Sequence, residues 1–339
     1  MSTSQGDHPA EAPVRSGIVV GVDGSDQSVC ALLWAAQEAE RRRSPLYVVT
    51  AYTVPVFAAS SMDAGYATVD DSVIREGARA VLDEAVAHLS GRGLEVIPRI
   101  ETGDAAGMLL DLSAEADLVV VGSRGRGGFV GRLLGSVSSA LPAHAKSPTV
   151  IVPLSCAPRF GQPQLVGRSK GEPGPPASGI ERVVVVGVDG SEQARRASLA
   201  AAEEAVSRGI PLRVICSIPP FNGSLAWVPA PLDREALHAD ITVQLEAGRN
   251  WLQSHFPGLE ITVEQLDGPP AEVLINASRT AELMVVGTRG RGGFTGMLMG
   301  STSQGVLHHA KGPVMVVPDS EDPRLLDRSS FGPMIPPVG

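Results

Sequence analysis

The chain has 339 residues, 43% hydrophobic and 19% charged, with a formal net charge of −9. That length suits two globular domains, and the acidic balance argues against nucleic acid as the main partner, because backbone phosphates need clustered Lys and Arg. Cys30, Cys156 and Cys216 are far apart, with no CxxC or Cys/His cluster, so neither a disulfide framework nor a zinc site is expected.

Residues 1–16 are polar, lack a leader-like apolar core, and read as a disordered N-terminus. No apolar run is long enough to cross a membrane, and the cytoplasm is the expected compartment. The first domain is read over 17–153. A short apolar strand at Gly17–Gly21 precedes helix-spaced apolar residues over Gln27–Arg43, after an Asp/Ser cap region. Strand Leu46–Tyr52, an amphipathic helix over Ser72–Ser90, strand Glu95–Ile100 and a helix over Ala105–Ala116 follow. Leu118–Gly122 is almost purely apolar, as a parallel strand covered on both faces requires. A glycine-rich loop, a helix from about Ser136 and strand Thr149–Val152 complete the unit.

Residues 154–179 hold five prolines and five glycines among 26 residues and read as an extended linker without a core. The same order of elements then recurs over a second domain, 180–318, and a polar tail over 319–339 closes the chain. The repeat is close: IVVGVDGS at 18–25 returns as VVVGVDGS at 184–191. GSRGRGGFVGRLLGSVS at 122–138 returns as GTRGRGGFTGMLMGSTS at 287–303, with twelve of seventeen positions identical. Offsets of 166 and 165 residues mean duplicated domains, since solenoid repeats are roughly 20–50 residues long. Strands alternating with helices imply a doubly wound parallel sheet in each half.

Two motifs recur in both halves. The glycine loop leaves a buried strand and enters a helix, where backbone N–H groups and the helix dipole favour an anion. Gly122, Gly125 and Gly135, with Ser136 at the helix entrance, match Gly287, Gly290, Gly300 and Ser301. These glycines serve either a tight turn with positive φ or close approach to a ligand, and recurrence of the whole pattern favours the ligand. Neither Walker A nor the GxGxxG dinucleotide fingerprint fits the spacing. Asp23 and Asp189 end the first strand of each half, where a carboxylate either caps the next helix or faces a nucleoside at the switch point of the sheet. Arg124, Arg126, Arg289 and Arg291 are either phosphate partners or solvated loop side chains. Pro142 falls inside the last helix of the first half, so a bent or short helix is expected there. The long connections 55–69 and 219–232 are either lids or plain mobile connections.

The spacing Gly-x2-Gly-x9-Gly-[Ser/Thr], together with the strand-end Asp of VDGS, resembles the ATP-binding class of the universal stress protein family, in a tandem form. The resemblance implies five-stranded sheets of order 3-2-1-4-5, with the final strands of two domains pairing across a twofold axis. It implies ATP as ligand, its adenosine held by the Asp and strand-end backbone and its phosphates by the glycine loop, with room for a phosphate-borne Mg²⁺. Carried over, the first site comprises Gly21, Asp23, Gly122, Ser123, Arg124, Gly125, Arg126, Gly127, Gly128, Gly135, Ser136 and Val137. The second comprises Gly187, Asp189, Gly287, Thr288, Arg289, Gly290, Arg291, Gly292, Gly293, Gly300, Ser301 and Thr302. A nucleotide-dependent regulator with at most slow hydrolysis is therefore expected, acting as an intramolecular pseudo-dimer or a homodimer and through a protein partner the sequence does not name. The rival expectation is an ATP-using enzyme, but no His, Cys or acidic cluster repeats beside both loops.

Overall fold

The structure is a computed structural model, and it describes residues 14, 16–53, 71–126, 134–168, 177–219, 234–290 and 299–326. The connections 55–69 and 220–232 lie outside the described residues. In the first half, strands β1 (Ile18–Gly21), β2 (Leu46–Tyr52), β3 (Val96–Thr102), β4 (Leu118–Gly122) and β5 (Thr149–Val152) alternate with helices α1 (Asp26–Arg42), α2 (Asp71–Ala87), α3 (Ala105–Leu112) and α4 (Ser136–His144). The second half repeats the plan with β6 (Glu181–Val188), β7 (Leu212–Ile218), β8 (Ile261–Asp267), β9 (Ala281–Gly287) and β10 (Val314–Val317). Its helices are α6 (Glu192–Arg208), α7 (Arg234–His255), α8 (Pro270–Ala277) and α9 (Ser301–His309), after a short α5 (Pro163–Arg168) between the halves.

All ten strands form one sheet, in the order β3-β2-β1-β4-β5-β10-β9-β6-β7-β8. Each half has the expected 3-2-1-4-5 order, parallel throughout. The halves meet at an antiparallel seam that pairs Thr149, Val150 and Ile151 of β5 with Val316, Met315 and Val314 of β10. Both seam strands are short and wholly buried, so pairing covers two apolar edges that would otherwise invite association.

Successive side chains of a strand point to opposite faces. Val20, Val48 and Val120 join the core beneath α1 and α6, whereas Val19, Val49, Val119 and Val121 join the core beneath α3, α4, α8 and α9. Helices therefore cover both faces, which is why the central strands are continuous apolar runs. Ser25 and Ser191 start α1 and α6 by accepting the N–H of the third residue on, at 3.2 and 3.1 Å.

Two expectations are corrected. The segment after β5 is not extended: residues 154–160 form a 3-10 turn, α5 follows, and Leu154, Cys156, Ala157, Leu165 and Val166 are buried in the core. A few well-placed apolar residues suffice to dock a Pro/Gly-rich segment once two domains offer a groove. Arg159 ties it down by donating to the carbonyls of Ala281 (2.9 Å) and Arg279 (3.0 Å) in the second half. Pro142 does not shorten α4, which has nine residues like α9. The missing N–H falls in the last turn, and Ala145 N–H still closes on Leu141 O at 2.9 Å.

At the seam the C-terminal ends of α1 and α6 bury a ring of charge. Arg208 donates to Glu38 across the halves at 2.7 Å and to Glu204 on its own helix. Arg42 donates to Glu38 on its own helix at 2.6 Å and to Glu204 across the halves. Glu38 and Arg42 correspond to Glu204 and Arg208 at the offset of 166, so the ring obeys the internal twofold. The Glu38 and Arg208 side chains are 1% and 2% exposed, a regime in which removing one partner strands an uncompensated charge. Burial alone would raise the Glu38 carboxyl, but Arg208, Arg42 and Arg41 outweigh it and hold it below the usual carboxylate range.

Arg208→Met is therefore expected to lower unfolding free energy by about 3–5 kcal/mol, measured by urea denaturation. Because the folded Glu38 carboxyl is depressed, its contribution is present above the unfolded value near 4.5 and is lost as pH falls through the folded value. The melting temperature of the wild type should fall more steeply than that of Glu38→Gln on acidification below about pH 4.5. Parallel pH curves would remove Glu38 from the account.

Candidate functional site

In the sheet order, β1 and β4 are neighbours from which the chain departs in opposite directions. Such a switch point leaves a crevice beyond the carboxyl ends of the strands, and a cavity of about 320 Å³ lies there. One wall is apolar and comes from Val49 and Ala51 of β2, Met108 and Leu109 of α3, and Leu134. The other is polar and comes from Asp23, the start of the glycine loop, and Ser136, Val137 and Ser138 at the N-terminus of α4. The first N–H groups of a helix have no intrahelical acceptor and carry its positive dipole end. The cavity thus offers an apolar slot at one end and anion-binding donors at the other.

Asp23 locks this geometry. The cap of α1 is Ser25, not Asp23. Asp23 Oδ1 accepts the Ser25 N–H at 3.0 Å and its hydroxyl at 2.6 Å, while Oδ2 accepts the Arg126 N–H of the glycine loop at 2.7 Å. One carboxylate thus joins the end of β1 to the loop after β4, some hundred residues away in sequence. In the second half Asp189 Oδ1 likewise accepts the Ser191 N–H at 3.0 Å.

The glycines are required by proximity rather than by backbone sign. Positive φ falls at Gly24 (75°) and Gly190 (79°) in the first turns, and not at Gly122, Gly125, Gly135, Gly287, Gly290 or Gly300. A Cβ on Gly125 would stand 2.3 Å from Asp23 Oδ2, and one on Gly290 would stand 2.3 Å from Asp189 Oδ2. On Gly122 it would meet the backbone of Gln27 at 2.8 Å. Gly21 and Gly187 are pressed by Leu109 and Leu274, at 2.9 and 2.5 Å from a built Cβ.

The loop is also closed at its base. Gly135 N–H lies 3.0 Å from Ser123 O and 2.9 Å from Ser138 Oγ, and that hydroxyl donates to Ser123 O at 2.8 Å. In the second half Gly300 N–H meets Thr288 O at 2.8 Å and Ser303 Oγ donates to Gly287 O at 2.7 Å. Ser138 and Ser303 were missed from the sequence, although a Ser three residues after the loop's last glycine is a capping signal. The apolar wall left no local signal.

The structure brings Gly21, Asp23, Gly122, Arg124, Gly125, Gly135, Ser136 and Val137 to one cavity. Ser123 and Arg126 do not line it: Ser123 N–H extends the sheet to Val152 O at 3.0 Å, and the Arg126 guanidinium reaches Gly24 O at 3.3 Å. In the second half the Thr288 side chain is buried, its hydroxyl 3.2 Å from Gln193 Oε1, rather than turned outward to a ligand. Arg289 lies 3.6 Å from Asp319, while Ser301 is exposed and Thr302 half-buried on the first turn of α9. Gly127, Gly128, Arg291, Gly292 and Gly293 lie outside the described residues.

Two of the three cysteines, Cys30 and Cys156, are buried. Burial pushes the Cys30 thiol up to about 12 and the Cys156 thiol up to about 11, so neither is a thiolate near neutrality. Among the described residues no group of three or more His, Cys, Asp or Glu could hold a metal ion, and no helix is long and apolar enough to cross a membrane.

The two loops differ measurably in tightness. A Cβ at Gly287 would meet its nearest atom, Gln193 O, at 3.2 Å, against 2.8 Å at Gly122. Gly122→Ala is expected to cost about 1–3 kcal/mol, the range for overpacking, and Gly287→Ala less. Thermal melts of the two variants check the ordering, and equal losses would contradict it.

The universal stress protein family matches the chain twice, over residues 16–153 and 181–318. Universal stress protein Mb2019 of Mycobacterium bovis is 32% identical over 325 residues, covering 91% of this chain and 96% of that protein. Universal stress protein Rv2623 of Mycobacterium tuberculosis is 33% identical over 316 residues, covering 90% of this chain and 97% of that protein. The crystal structure of a universal stress protein from Archaeoglobus fulgidus superposes with a TM-score of 0.61 over 90% of this chain and 98% of that one, at 21% identity. With two matched domains, a doubly wound sheet in each and the glycine loop at each switch point, this chain belongs to the universal stress protein family in its tandem two-domain form.

Proposed function

We propose that the chain is a nucleotide-dependent regulator that binds one ATP in each half. The observation that carries this reading is the first cavity, where an apolar slot and a helix N-terminus face each other across the switch point. An adenine ring suits the slot between Val49, Ala51, Met108 and Leu109, and a phosphate chain suits the donors at Ser136 and Val137. The residues present fit the nucleotide, and ATP would supply a triphosphate able to carry its own Mg²⁺. In the second half Asp189 against Gly290, Gly300 closed on Thr288, and the start of α9 repeat the same framework.

Among the described residues around the cavity, none is placed as a base or nucleophile. We therefore assign at most slow hydrolysis. A steady-state assay is expected to give turnover far below about 10 s⁻¹, a typical enzyme rate, and an ordinary rate abolished by one substitution would establish the enzymatic alternative.

Because a side chain at Gly125 or Gly290 would collide with the carboxylate of Asp23 or Asp189, Gly125→Val and Gly290→Val should each remove one site. A ligand that binds only the folded state stabilises by about 2.7 kcal/mol per site at a hundredfold excess over Kd. The ATP-dependent melting shift of the wild type should exceed that of either single variant, and the double variant should show almost none. Ligand-free melts of each variant separate lost binding from lost stability. A full shift in the double variant, or an equal shift with GTP in the wild type, would refute the assignment.

A further inference from the structure

A second cavity, of about 230 Å³, opens beside the seam, away from the glycine loops. Trp34 of α1 and Phe160 of the 154–160 turn supply aromatic surface, and Ile180 and Pro313 extend the apolar wall. Four arginines, Arg41, Arg159, Arg182 and Arg208, line it together with a single carboxylate, Glu282. With Glu38, Glu204 and Arg42 immediately behind, five guanidiniums face three carboxylates. That is a local excess of positive charge in a chain whose net charge is −9.

Glu38 and Glu204 engage Arg41, Arg42 and Arg208, but not Arg159 or Arg182. Arg208 is engaged by Glu38 and Glu204, lies 3.5 Å from Glu282, and sits 5.8 Å above the Trp34 ring. Arg159 donates to backbone carbonyls rather than to a carboxylate, and its buried Nε–H has no hydrogen-bond partner among the described residues. The Arg182 side chain is exposed and makes no hydrogen bond or ion pair among the described residues.

The duplication provides an internal control. Across the pseudo-twofold the charge ring is retained, yet Trp34, Gln37 and Arg41 correspond to Ala200, Glu203 and Ser207, and Arg182 corresponds to Ser16. A seam that needed only to hold the halves together would be served by the symmetric ring. The indole and the extra guanidiniums stand on one side alone, around this cavity.

We propose that the cavity binds a small planar organic anion, a one-ring aromatic carboxylate, whose ring lies against Trp34 and Phe160 and whose carboxylate answers Arg159 and Arg182. A dry cavity of about 150 Å³ accepts benzene, so 230 Å³ admits a ring with one carboxylate. Guanidinium is the side chain that best matches a planar carboxylate and also stacks on aromatic faces. The ligand would touch both halves and the segment joining them.

The probe is salicylate, titrated calorimetrically into the full chain, with the neutral salicylamide as control. Salicylate should bind the wild type at least tenfold more tightly than salicylamide, and saturating ATP should leave that affinity unchanged. Arg182→Gln should weaken salicylate about tenfold, the loss of one charge-assisted hydrogen bond. Its melting temperature should hold, because the Arg182 side chain is exposed and makes no ion pair among the described residues. Gln37→Glu, which installs the acid of the opposite side, should weaken binding as well. No binding up to about 10 mM, a level that would still reveal a millimolar Kd, would overturn the proposal. So would equal affinity for salicylamide, unchanged affinity in either variant, or displacement by ATP.

Discussion

The antiparallel pairing of β5 with β10 is the contact on which the rest of the molecule depends. Each half alone would end in a four-residue strand, TVIV or VMVV, with one apolar edge open. Pairing these edges turns two five-stranded sheets into one of ten and imposes an internal twofold. That twofold brings the ends of α1 and α6 together, and with them Glu38, Arg42, Glu204 and Arg208. Buried charges are weak sources of stability but severe penalties when misaligned, so the ring favours this register over a slipped one. The segment over 154–168, which has to cross from one half to the other, packs into the groove this arrangement creates.

The candidate site sits elsewhere, at the carboxyl ends of β1 and β4, and its integrity is local. A single carboxylate, Asp23, receives donors from the turn after β1 and from the loop after β4. The loop can lie that close because Gly125 has no side chain, and β4 can lie against α1 because Gly122 has none. The glycine pattern thus records tight packing among strand end, loop and helix. The halves have nonetheless diverged around it. Asp319, just beyond β10, faces Arg196 and Arg289, whereas the corresponding positions after β5 and in α1 are the buried Leu154 and Cys30. The Arg289–Asp319 pair is exposed and worth little energetically, but it sets a carboxylate beside the second loop at the position where the first half has Leu154.

Much of this organisation was legible in the sequence because it is periodic or repeated. Continuous apolar runs such as Leu118–Gly122 announce strands buried on both faces, and the recurrence of VDGS and of the glycine loop announces duplication and the switch point. What escaped was what composition averages away. The segment 154–168 looks structureless by its Pro and Gly content, yet Leu154, Cys156, Leu165 and Val166 are enough to dock it. Asp23 could be read as a cap or a ligand contact because both uses need a carboxylate at a strand end. Its bond to the Arg126 N–H exists only when residues a hundred positions apart are brought together.

By itself, then, the sequence determined the class of fold, the two domains and the position of each candidate site, since alternation of buried strands and amphipathic helices is a local property of the chain. The pairing of the halves through their final strands was expected from the family resemblance alone, whereas the tertiary structure decided how Glu38 and Arg208 come to share one buried ring and which side of the seam opens into an arginine-lined cavity. Those features arise from strand edges and helix ends meeting across large separations in sequence. A pairing of that kind has no periodicity to betray it, because its energy depends on burial and distance rather than on the order of residues along the chain.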